Sequence, residues 1–191
     1  MKYGFVVIGA SLGGLNSVRS VLSALPGTFR LPVAIVQHRN SSADDTLQFL
    51  LQKECAHLVR EVEDKEAIIP GKIYLAPGGY HLMVEEDHFA LSTEASVNHA
   101  QPSIDLLFKT AAESFGSRAI GVVLTGTGKD GAAGLAEIER GGGVALIESR
   151  QTAFAQEMPA AAIEATLHAT ELNLEEIGPY LVKLDREQET G

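Results

Sequence analysis

A serine stands at residue 11 in Gly9-Ala10-Ser11-Leu12-Gly13-Gly14, directly after the apolar run Phe5-Val6-Val7-Ile8. That order predicts a tight turn between a buried strand and an amphipathic helix, because small residues on both sides let the backbone fold back sharply. A helix start presents unpaired N–H groups and the positive end of the helix dipole. A serine held there has the surroundings of a nucleophile, with the backbone at Leu12 and Gly13 available to a developing oxyanion. Serine attacks slowly at neutral pH unless a neighbouring base takes its proton. His38 follows the apolar run Val33-Ala34-Ile35-Val36-Gln37, and imidazole titrates in the range that suits proton transfer. Asp130 lies in Thr125-Gly126-Thr127-Gly128-Lys129-Asp130-Gly131, again after an apolar run. A carboxylate beside the imidazole would fix its tautomer and stabilise its protonated form.

These three residues meet only if the chain folds so that the ends of their strands share one edge. Short runs rich in Val and Ile at 5–8, 32–37, 120–124 and 144–147 read as buried strands. Helical spacing fills 15–25, 46–53, 104–115 and 132–140, with Pro26-Gly27 and Gly141-Gly142-Gly143 marking helix ends. The alternation predicts right-handed βαβ units in a doubly wound, mostly parallel sheet, a three-layer, Rossmann-like α/β fold. Ligands in such sheets bind beyond the carboxyl ends of the strands, where Ser11, His38 and the loop of Asp130 all fall. The middle breaks the rhythm. Segments 59–63, 72–76, 82–85 and 89–92 read as a small antiparallel insertion or edge ribbon, with Glu86-Asp87 as a turn. No linker or repeat divides the chain, so residues 1–184 are expected to form a single domain and 185–191 a fraying polar tail.

Composition narrows the classes. The 191 residues are 45% hydrophobic and carry a formal net charge of −10. That content suffices for one sizeable core, and the acidity argues against a nucleic-acid surface, which needs a basic stripe. A lone cysteine, Cys55, excludes an internal disulfide framework and a cysteine-rich metal site. The remaining histidines, His57, His81, His88, His99 and His168, show no close pair on one helix with a third ligand, so neither metal nor cofactor is expected. His81, after Pro77-Gly78-Gly79-Tyr80, could line the site mouth, but reads better as a surface-loop residue. No apolar stretch reaches membrane-spanning length and no signal-peptide layout opens the chain, which predicts a cytoplasmic protein without membrane insertion.

Each candidate has a plainer role. Ser11 could simply start a helix, His38 could be a surface or core residue, and Asp130 could cap the next helix. Their convergence on one edge is what favours catalysis. Gly9-x-Ser11-x-x-Gly14 also approaches the dinucleotide fingerprint, but His38-Arg39 stands where an acidic ribose ligand belongs. Gly9-Ala10-Ser11-Leu12-Gly13 fits the nucleophile-elbow pattern, yet the order Ser, His, Asp and the early serine depart from the α/β-hydrolase arrangement. Gly128-Lys129 is followed by Asp130 and not by Ser or Thr, which excludes a P-loop.

Several separate motifs occur together in order: Ile8-Gly9-Ala10-Ser11-Leu12-Gly13-Gly14, Val36-Gln37-His38, Ile73-Tyr74-Leu75-Ala76-Pro77-Gly78, Gln101-Pro102-Ser103-Ile104-Asp105-Leu106-Leu107-Phe108, Leu124-Thr125-Gly126-Thr127-Gly128-Lys129-Asp130-Gly131 and Met158-Pro159. With these, almost the whole chain resembles the catalytic domain of the chemotaxis protein-glutamate methylesterases, the CheB family. The resemblance implies a Ser11–His38–Asp130 triad and hydrolysis of glutamate γ-methyl esters on chemoreceptor signalling helices, with related amidase activity on receptor glutamines. It also places an oxyanion donor near Thr127 and Gly128, supplied by the backbone. Two departures stand out. Leu12 occupies a position where the family commonly has Thr or Ser, and Asn98-His99-Ala100-Gln101 replaces a usually basic segment. Those departures keep open a weakly active or inactive CheB-like regulatory binding module, with a nucleotide-binding domain as a further alternative. The family typically carries an N-terminal receiver domain, whereas Met1 here precedes the first strand directly. A free-standing domain is therefore expected, constitutively active or controlled by a separate receiver protein.

Overall fold

The structure, a computed structural model, describes residues 2–38, 46–97 and 100–187. Among these residues nine strands form: β1 (Phe5–Ala10), β2 (Val33–Gln37), β3 (Val59–Glu61), β4 (Ile73–Leu75), β5 (His81–Glu85), β6 (His88–Ser92), β7 (Ala119–Val123), β8 (Val144–Glu148) and β9 (Thr170–Leu172). Six α-helices accompany them among the described residues: α1 (Gly14–Ser23), α2 (Thr46–Glu54), α3 (Ile104–Phe115), α4 (Ala132–Arg140), α5 (Glu157–Ala165) and α6 (Leu174–Arg186). Seven strands make one sheet in the order β3-β4-β2-β1-β7-β8-β9, and each neighbouring pair runs parallel. A parallel sheet needs cover on both faces, which explains why its strands read as unbroken apolar runs.

The central strand shows how the layers form. Val6, Ile8 and Ala10 of β1 face a cluster with Val18 and Leu22 of α1, Leu51 of α2 and Ile177 and Leu181 of α6. Phe5 and Val7 face the other side, against Ile104 and Phe108 of α3, Leu135 and Ile138 of α4 and the β5–β6 hairpin. Gly9 lies on this second face. A β-carbon there would come within 2.3 Å of Ile104 Cγ2, so α3 sits against bare backbone. Gly9→Ala should therefore destabilise the fold by about 1–3 kcal/mol through overpacking. A chemical-denaturation midpoint measures this, and an unchanged midpoint would mean that α3 shifts freely.

The antiparallel reading of the middle segments holds for half of them. β5 and β6 pair antiparallel, with Glu86 in the left-handed region at φ 58° in their turn. β3 and β4 instead join the main sheet in parallel, as its outer strands beside β2. Three-residue strands give too short a pattern to reveal direction. The carboxyl-terminal third adds α5, β9 and α6, which composition did not signal. β9 is a half-exposed edge strand, and Pro179 inside α6 interrupts the helical signal. A start signal for α6 was nevertheless present, since the Glu176 carboxylate accepts the Asn173 N–H at 2.8 Å. α6 continues past the point where a polar tail was expected: Asp185 accepts the Arg30 N–H, and Glu187 pairs with Lys2 at 2.7 Å. The last residues of the expected tail, 188–191, lie outside the described residues.

Candidate active site

β1 lies between β2 and β7, the point where successive connections leave toward opposite sides of the sheet. Crevices at such switch points are where doubly wound folds bind ligands. Ser11 follows β1 here, bracketed by both neighbours. The His38 N–H donates to Ala10 O at 2.9 Å, and the Ser11 N–H donates to Thr125 O at 3.0 Å. Parallel register therefore sets the serine and the histidine side by side at adjacent strand ends. Gly13 completes the turn into α1 with φ 82°, and a β-carbon there would meet Phe154 Cβ at 2.8 Å. Leu12 and Phe154 both remain exposed beside it, forming an apolar lip.

His38 is only 21% exposed at its side chain, and its Nε2 lies 2.8 Å from Asp130 Oδ2. That bond leaves Nδ1 as the ring nitrogen available to Ser11, although no hydrogen bond joins the two side chains in this structure. Asp130 is buried and accepts from more than the histidine. The Ile104 N–H reaches Oδ2 at 2.7 Å, while the Asp105 N–H and the Ser103 hydroxyl reach Oδ1, both at 3.0 Å. Asp130 thus occupies the N-terminus of α3, where helix amides favour negative charge. Burial pushes its carboxyl up, but the His38 hydrogen bond and the Asp105 and Ile104 amides outweigh this and hold it below the ordinary carboxylate range.

The support is reciprocal. Asp105 Oδ1 accepts the N–H groups of Gly131 and Gly134 at 3.0 and 2.7 Å, so each helix start is capped by a carboxylate from the other's entry. Burial, with the neighbouring Asp130 charge adding to it, raises the Asp105 carboxyl above its usual value. Ser103 serves as the expected cap of α3, accepting from Leu106 N while donating to Asp130. His81, expected on a surface loop, is fully buried. Its Nδ1 accepts the Ser103 N–H at 3.2 Å and its Nε2 meets Ala95 O at 3.2 Å. A histidine that closes a glycine-rich turn and opens a strand gives no warning that the first helix turn will fold over it.

Of the candidate oxyanion amides, the Gly128 N–H is taken by the Glu157 carboxylate at 2.8 Å; the neighbouring Gly126 N–H donates to Ala155 O at 3.1 Å. The amides of Leu12, Gly13 and Thr127 have no protein partner among the described residues. Gln37 belongs to the Val36-Gln37-His38 motif. Its Nε2 donates to Ser11 O at 2.8 Å and to His38 O at 3.1 Å, tying the two strand ends together. Met158 packs where a β-carbon on Gly126 would touch both its sulfur and Ser11 Cβ, which places α5 behind the serine. Arg39, Asn98 and His99 lie outside the described residues. Among the described residues no group of three or more His, Cys, Asp or Glu side chains could hold a metal ion. None of the helices among them is long and apolar enough to cross a membrane.

The fold is a parallel, three-layer doubly wound α/β domain with Ser11, His38 and the buried Asp130 at the carboxyl edge of its sheet. Residues 6–181 match the family model described as CheB methylesterase, and the chain belongs to that family. A putative protein-glutamate methylesterase/protein-glutamine glutaminase of Leptospira interrogans is 42% identical over 187 residues, covering 97% of both chains. The protein-glutamate methylesterase FrzG of Myxococcus xanthus is 38% identical over 95% of this chain and 54% of its own length. The crystal structure of the Thermotoga maritima CheB methylesterase catalytic domain superposes with a TM-score of 0.90 at 32% identity, covering 96% of this chain and all of that one.

Proposed function

We propose that the protein is a protein-glutamate methylesterase that hydrolyses glutamate γ-methyl esters on chemoreceptor signalling helices and deamidates receptor glutamines, using Ser11, His38 and Asp130. The observation that carries this reading is that His38, on the strand end next to Ser11, pairs its Nε2 at 2.8 Å with a buried, amide-held Asp130. Relatives named for both reactions support the substrate class.

Ser11 Oγ attacks the γ-carbonyl carbon while His38 Nδ1 takes its proton. The tetrahedral oxyanion is held by backbone amides, with Leu12, Gly13 and Thr127 as the available donors. One such donor typically contributes about 3–4 kcal/mol to the transition state. The carbon–methoxy bond then breaks, and methanol leaves with the proton from His38. Water attacks the glutamyl ester of Ser11, giving its proton to His38, and the serine departs reprotonated as the glutamate carboxylate forms. With glutamine the leaving group is ammonia, and the remaining steps are the same. Asp130 remains ionised throughout, since its amide cradle and His38 favour the charged form.

Incubation with membranes bearing methylated chemoreceptors tests the substrate assignment, and methanol release is the expected result. Hydrolysis of simple esters without any release from receptors would contradict it.

A further inference from the structure

Glu148 ends β8, is fully buried and takes no part in the proton transfers above. Its Oε2 accepts the Thr125 N–H at 2.8 Å. Burial raises its carboxyl above the ordinary value, partly offset by the Thr125 amide and the facing hydroxyls of Ser17 and Thr152. A buried carboxyl stabilises less than an apolar side chain of similar size, so core packing does not explain it.

Thr125 links this carboxyl to the nucleophile turn. Its carbonyl accepts the Ser11 N–H at 3.0 Å, and its Oγ1 accepts the Ala155 N–H at 2.8 Å. The hydroxyl lies within donating distance of two carbonyls, Leu12 O at 3.0 Å and Ala155 O at 3.2 Å, the nearer being Leu12 O. A peptide unit is planar and trans, so fixing a carbonyl aims the next residue's N–H the opposite way. Holding Leu12 O therefore orients the Gly13 N–H. Gln37 and Gly14 hold Ser11 O and so orient the Leu12 N–H in the same manner.

We propose that Glu148 is a positioning residue that, through Thr125, sets the Ser11 turn and the Gly13 amide for the transition state. This rests on the proposed role of Ser11. Turnover of methylated receptor membranes, followed as methanol release, is measured for Glu148→Ala, Glu148→Gln and Thr125→Val, each with its melting temperature and beside Ser11→Ala. Glu148→Ala should lower kcat about tenfold with KM within twofold of wild type. Glu148→Gln, whose amide oxygen still accepts the Thr125 N–H, should restore kcat to within about threefold. Thr125→Val removes the tie to Leu12 O and should lower kcat in the same direction. The double variant should lose less than the product of the two single losses, as coupled neighbours do. An unchanged kcat in Glu148→Ala with only a lowered melting temperature overturns the proposal, as does a Glu148→Gln no better than Glu148→Ala. Should Glu148→Ala fail to fold, an unchanged kcat in Thr125→Val overturns it. An inactive Ser11→Ala beside a normal Glu148→Ala removes this inference alone. Full turnover by Ser11→Ala removes the site reading beneath it.

Discussion

Ser11→Ala should lower kcat for methyl-ester hydrolysis by about 10⁴-fold or more, the scale on which nucleophile deletions act in serine hydrolases. The substitution deletes one oxygen and leaves the backbone ties of the turn in place. The Ser11 N–H still donates to Thr125 O, and Ser11 O still accepts from Gln37 and Gly14. Stability should therefore stay within about 0.5 kcal/mol of wild type, as for changes that leave packing and caps intact. KM should change little, since the lost interaction belongs to the transition state. Steady-state methanol release with a thermal melt checks both halves. A loss below tenfold would mean that another group attacks the ester.

Asp130→Asn should impair turnover and folding together. Four donors, from His38, Ser103, Ile104 and Asp105, converge on the two carboxylate oxygens. An amide supplies only one acceptor and turns an NH₂ group toward donors. The wrong imidazole tautomer should lower kcat by about 10⁴-fold. Leaving buried amides at the start of α3 unpaired should remove about 2–4 kcal/mol of stability. The sign with pH follows from the depressed carboxyl. Its contribution is fully present above the unfolded value of about 3.9 and is lost as pH falls through the lower folded value. The stability gap between wild type and Asp130→Asn should thus be wide at pH 7, begin to shrink only below about pH 4 and continue to shrink as pH falls further. A gap that stays constant into acid would show that the Asp130 charge does not stabilise the fold. Asp105 and Glu148 have raised carboxyls and act in the opposite sense: their contributions are present below the unfolded values and fade as pH rises through the folded ones.

Much of this architecture was written in local pattern. Apolar runs placed β1, β2, β7 and β8, and glycine punctuation placed the ends of α1 and α4, so the shared edge of Ser11, His38 and Asp130 followed from topology rules alone. Pairing direction was not legible for β3 and β4, because it depends on which partner strand offers free hydrogen bonds, not on the residues within three-residue segments. The supports of the site were hidden for a related reason. Thr125, Glu148, Gln37, Asp105 and His81 act on partners between 14 and 113 residues away in the chain, and no periodicity encodes such contacts. Gly128 illustrates the limit at a single amide. The family resemblance suggested an oxyanion donor there, and the Glu157 carboxylate from the start of α5 occupies that N–H. The exposed Leu12, where a hydroxyl residue is common in the family, leaves the His38–Asp130 pairing untouched, since neither partner of that bond depends on it.

Peptide mapping by mass spectrometry after treatment with a fluorophosphonate tests most directly whether Ser11 is the attacking group. The expected result is one adduct on the peptide carrying Ser11, absent from Ser11→Ala and formed far more slowly in His38→Ala. An adduct elsewhere, or none on an enzyme that still releases methanol, would contradict the assignment of Ser11 and His38.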